Sequence, residues 1–185
     1  LPVGDAQNSA VTNTLTKLAK LDPQTAWNDA VQLSGNNNGQ AEMSVINAWS
    51  ANQPAQAAAA LGDIPAGDNL NTATTNVAKN WLNQDPTAAA QWINTLPQGT
   101  ARDDAVTQLV STVGKSDPAS ALTWAISISD PATRNTQVVN LLNQWSGGNA
   151  TAAATAAQNA MSSLDGLSST QQAILQNIVN KATAP

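Results

Sequence analysis

At 185 residues the chain is long enough to bury one substantial core, and its formal net charge of −5, with seven Lys and Arg scattered along it, excludes the basic stripe that grips nucleic acid. His and Cys are absent, which removes Ser-His-Asp and Cys-His nucleophiles and the common zinc ligand sets. Charged residues are only 10% against roughly 25% in an average soluble domain, so Asn, Gln, Ser and Thr must solvate the surface.

In chain order, the Leu1-Pro2-Val3 start without an initiator Met predicts a mature, secreted protein whose signal peptide has been removed. A first helix is predicted from about Asp5 to Lys20, with Val11, Leu15 and Leu18 on its apolar face. Asp22-Pro23 then opens a second helix, because Asp caps well and Pro at the first helical position sacrifices no needed N–H. The same device returns at Gln53-Pro54, Asp85-Pro86 and Asp117-Pro118, at intervals of 31, 32 and 32 residues, and another 32 lands on Asn149-Ala150. Each opening helix is closed by breakers, at Gly35 to Gly39, Pro65 to Gly67, Pro97 to Gly99 and Asp130-Pro131. A second helix of each pair follows, as in Ala101 to Val113. No segment alternates with period two.

Three columns keep step with these caps. Three residues after each Pro position stands Ala26, Ala57, Ala89, Ala121 or Ala153. Seven further on, four copies carry Leu33, Ile64, Leu96 or Ile128, and four before each cap comes Leu18, Trp49, Trp81, Val113 or Trp145. The small Ala allows close approach of helix axes. Phe and Tyr are missing, so the six Trp are expected to fill the gaps between pairs. The predicted repeat core is therefore Trp49, Trp81, Trp92, Trp124, Trp145, Ala89 and Ala121.

Leu21-Asp22-Pro23 with Ala26 and Trp27 resembles the junction between tetratricopeptide repeats. The Asp-Pro-x-x-Ala-x-x-Trp pattern of Asp85 to Trp92 and Asp117 to Trp124 is similar to tetratricopeptide-like or HEAT-like helical repeats. The period falls short of that family's 34 residues. The resemblance covers nearly the whole chain and implies an architecture: an all-α, right-handed αα-superhelix (solenoid). About five helix pairs follow an N-terminal half repeat, giving about eleven helices. The expected organisation is a single domain over 1–185, with a half repeat at 1–21 and repeats at 22–52, 53–84, 85–116, 117–148 and 149–185. The resemblance also implies protein interaction or scaffolding, with no cofactor.

The two ends are unequal. The first helix lacks an opening partner, and neither end shows the charged face of a dedicated cap. A head-to-tail contact would be heterologous and could build an open filament. The expected function is thus a structural, self-assembling subunit of an extracellular filament or tube, whose partner is another copy of itself. Its expected interface is Val11, Leu15 and Leu18 at one end and Ile174, Ile178 and Val179 at the other. The alternative is a monomeric scaffold that holds a protein or peptide. No enzyme, metal site, nucleic-acid partner or membrane span is expected.

The carboxylates have structural readings. Asp22, Asp85, Asp117 and Asp130 read as helix caps, and Arg102-Asp103-Asp104 as a first-turn cluster favoured by the helix dipole. Asp63 and Asp68 flank Ile64-Pro65-Ala66-Gly67 without the ligand spacing of a calcium loop. Glu42 is the only Glu, with nothing in its neighbourhood to make it a catalytic acid. Asn36-Asn37-Asn38-Gly39 is turn chemistry. Asn149-Ala150-Thr151 is a glycosylation sequon that coincides with a cap.

Overall fold

A computed structural model of the chain describes the backbone of residues 5–37 and 39–183, and the side-chain surroundings of 7–33 and 39–182. The Leu1-Pro2-Val3 start and Asn38 lie outside the described residues. Among those described there are eleven α-helices, one short 3₁₀ turn and no strand, so the fold is all-α. The helices are α1 (Asp5–Leu18), α2 (Pro23–Asn37), α3 (Gln40–Ser50), α4 (Pro54–Ala60), α5 (Asp68–Gln84), α6 (Pro86–Thr95), α7 (Thr100–Val113), α8 (Pro118–Ile126), α9 (Pro131–Trp145), α10 (Ala150–Ser163) and α11 (Ser169–Thr183); the 3₁₀ turn is Leu61–Asp63.

The predicted caps are made. Asp22 accepts from the Thr25 N–H at 3.1 Å and from its hydroxyl at 2.7 Å. Asp85 caps Ala88, Asp117 caps Ser120 and Asn149 caps Ala152, each at 3.0 Å, and Asp130 caps Thr133 at 2.7 Å. Gln53 makes no side-chain cap to α4; it accepts instead from the Trp49 indole N–H at 3.3 Å. Helices α5 and α7 enter through Gly67 and Gly99, whose φ of 143° and 141° suits only glycine. These two glycines are one period apart, so the repeat is visible in backbone torsions as well as in residue types.

One predicted break moves. Gly35 lies inside α2, which continues to Asn37, and the chain turns at Gly39 with φ 76°. A glycine inside a helix costs only about 1 kcal/mol, too little to end a helix that its neighbours support.

The chain packs as two compact units, one up to Ala89 and one from Ala90, and the boundary falls inside α6. In the first unit α1, α3 and α5 pack in succession, with α2 against α1 and α3, and α4 against α3 and α5. In the second unit α7, α9 and α11 form the same succession, with α8 and α10 between them. Every member of the alanine column, Ala26, Ala57, Ala89, Ala121 and Ala153, is fully buried. That is the expected outcome for a methyl set where helices approach most closely.

The tryptophans depart from expectation. Trp49 is buried, as is Trp27, but Trp81, Trp92, Trp124 and Trp145 are only half-buried. The deepest positions belong to smaller neighbours: Leu82 beside Trp81, Ile93 beside Trp92, Ala125 beside Trp124 and Leu142 one turn before Trp145. Each of these four indoles therefore keeps part of its large surface at the solvent while a smaller neighbour takes the innermost place.

Candidate functional site

The first unit contains a cavity of about 480 Å³ between α2, α3 and the segment that leads from the 3₁₀ turn into α5. That volume lies within the usual range of ligand pockets. Its apolar wall is Trp27 and Val31 from α2, Met43 from α3, and Ile64 and Pro65 from the connecting segment. Three carboxylates share the lining: Glu42, Asp63 and Asp68. None of its lining residues is Lys or Arg. The Trp27 indole N–H donates to Asp63 Oδ2 at 3.2 Å, which ties α2 to the turn and fixes the cavity wall. Gly39 borders the cavity, and a side chain there would meet the Asn69 amide at 2.5 Å.

Glu42 is the unusual member. It lies in the first turn of α3, is 9% exposed, and its Oε2 is buried with no hydrogen-bond partner. The helix N-terminus favours a carboxylate there, but a buried charge normally needs a partner. Sequence reading missed the group, because residues from 27 to 69 converge on it only after folding.

A second cluster joins α7 to the loop between α8 and α9. Arg102 donates to the Ser127 carbonyl at 3.0 Å and to its hydroxyl at 3.3 Å. The Asp103 carboxylate accepts from the N–H groups of Ser129 and Asp130, each at 2.9 Å. The Ser129 hydroxyl donates to Gln98, and Arg134 donates to the Ile128 carbonyl at 3.2 Å. Both Arg102 and Asp103 are buried, so they hold the loop rather than merely answering the helix dipole. Burial and the Asp103 charge together push the Asp104 carboxyl above its ordinary pKa. These hydrogen bonds tie α7 to the loop between α8 and α9.

The residues predicted for an assembly interface divide in two. Leu15, Ile178 and Val179 are buried in the chain's own core and have no area left for a second molecule. The opposite faces of their helices are too polar to bury instead. Val11, Leu18 and Ile174 are half-exposed. The most exposed large apolar side chain described is Leu21, at 86%, in the turn between α1 and α2. The corresponding positions before the other caps are Asn52, Gln84, Ser116 and Gly148, all exposed and none apolar in this way. Val31 and Ile126, also exposed, occupy one repeat position, eight residues after Pro23 and Pro118. Comparing residue types down the repeat column that precedes the caps marks Leu21 as the odd member from sequence alone.

Among the described residues, no three His, Cys, Asp or Glu side chains stand close enough to hold a metal ion, and no helix is long and apolar enough to cross a membrane. No protein-family model, curated protein or solved structure matches the chain.

Proposed function

We propose that this chain is a structural helical-repeat protein whose copies associate end to end into a filament or tube outside the cell. The observation that carries the reading is Leu21, an apolar side chain held in water at a repeat position that is otherwise polar. Leaving a Leu side chain exposed forgoes about 1.5–3 kcal/mol of burial. The half-exposed Val11, Leu18 and Ile174 extend the apolar surface at the two ends of the chain. In this arrangement α11 of one copy meets α1 of the next, as α9 meets α11 within a copy. The low charge density reduces repulsion between copies, and the extracellular setting rests on that same composition. A tetratricopeptide-like or HEAT-like solenoid is the architecture this proposal assigns to the assembled units, and catalysis has no part in it.

Size-exclusion chromatography with negative-stain microscopy over rising concentration tests the reading. Growth into regular filaments is expected, whereas monodisperse 19.0 kDa particles at the highest concentration would remove it. A second reading, a scaffold that binds a protein or peptide, is favoured by the cavity around Glu42, which neither end of the chain accounts for.

A further inference from the structure

The geometry points to the α2–α3 cavity as a binding site for a single organic cation on an aliphatic stem, an alkylammonium or alkylguanidinium group, with Glu42 as its counter-charge. The inference rests on the binding-module reading and is independent of self-association.

Three observations converge. Glu42 is nine-tenths buried, lines the cavity, and has an oxygen without a hydrogen bond. A buried carboxylate in that condition is stabilised most by a positive partner, since a charge-assisted hydrogen bond supplies both donor and charge. No such partner comes from the cavity's own lining, which has Asp63 and Asp68 and no Lys or Arg. A bare metal ion is a poor fit, because these side chains do not form a three-carboxylate cluster. The remaining wall, Val31, Met43, Ile64 and Pro65, is apolar and suits a hydrocarbon stem. Asp68, exposed in the first turn of α5, would draw the cation toward the mouth. Asp63 is already engaged by Trp27 and holds the wall in place.

The head group could belong to a free small molecule or to an Arg or Lys side chain of a peptide. The test is a titration of the full chain followed by the indole N–H resonances, of which Trp27 supplies the one inside the cavity. Butylguanidinium is expected to move that resonance saturably, and neutral butylurea of the same shape is not. Glu42→Gln should weaken binding by about tenfold or more, and Asp68→Asn by about threefold. Because Glu42→Gln removes an unpartnered buried charge, it should melt no lower than the parent chain. An Arg pentapeptide blocked at both ends that binds more tightly than butylguanidinium identifies a peptide partner; equal affinity identifies a free cation. Equal binding of butylurea would leave the cavity a binding site but end the claim of charge recognition. No saturable shift with any probe would remove the cavity as a site altogether. Undiminished affinity in Glu42→Gln, or a much lower melting point, would assign Glu42 a structural role and overturn the proposal. Leu21→Glu must bind as the parent chain does, which separates this test from the assembly reading.

Discussion

Trp27, four residues after the helix-opening Pro23, and Trp92, six residues after Pro86, have different surroundings. Trp27 is 2% exposed and its indole N–H is spent on Asp63, while Trp92 and its counterpart Trp124 keep an edge in solvent. Replacing Trp27 by Ala should therefore cost about 3–5 kcal/mol. The same change at Trp92 or Trp124 should cost about half as much, in proportion to the area lost. Denaturant unfolding of the three variants measures this directly, and equal losses would mean that the indoles are equally enclosed. The alanine column was fully legible in the sequence, since a small residue repeated at one register has few explanations besides close packing. The depth of each Trp was not legible. It depends on whether the adjacent residue, such as Ile93 or Leu82, takes the innermost position, and side-chain size alone does not decide that. The partnership of Asp103 with the N–H groups of Ser129 and Asp130 was likewise hidden, because its first-turn position offered a sufficient local reason.

At the scale of the helix, the caps carry a pH signature. The Thr25 hydroxyl and N–H lower the Asp22 pKa below its ordinary 3.8. Hydrogen bonds from Ser120 do the same for Asp117, and those from Thr133, with the Arg134 charge, for Asp130. A carboxyl whose folded pKa is depressed stabilises the fold above its unfolded pKa, and that contribution is lost as pH falls through the folded value. Asp104, raised by burial, runs the other way: it favours the folded state when protonated, and that preference fades as pH rises through its folded value. With three lowered groups against one raised, the melting temperature should fall between about pH 5 and pH 2. The loss should be local as well. Amide protection factors, taken against the intrinsic exchange rate at each pH, should fall in acid at Thr25, Ser120 and Thr133, while that of Ala152, capped by the non-titrating Asn149, should hold. A uniform fall in protection at all four would mean global loosening instead. The helix pairs themselves were legible, because Asp-Pro, Pro-x-Gly and an apolar 3.6-residue period agree. The end of α2 was not, because Gly35 looks like a breaker when only local propensity is weighed.

For the whole molecule, the period fixed the all-α class and the succession of pairs inside each unit. It did not announce the division of packing near Ala89, which follows no change in composition. The α2–α3 cavity was equally invisible, being built from side chains as far apart as Trp27 and Asn69. Of the predicted contact residues, Val11, Leu18 and Ile174 keep surface to offer, while Leu15, Ile178 and Val179 belong to the core. Leu21 then becomes the sharpest handle on self-association, since it can be changed without disturbing any packed neighbour. The decisive measurement is sedimentation velocity of the parent chain and of Leu21→Glu at matched high concentration. The account predicts large assemblies for the parent chain. For the variant it predicts a 19.0 kDa monomer with the same helical signal and melting temperature. A parent chain that stays monomeric, or a variant that assembles equally well, would contradict it.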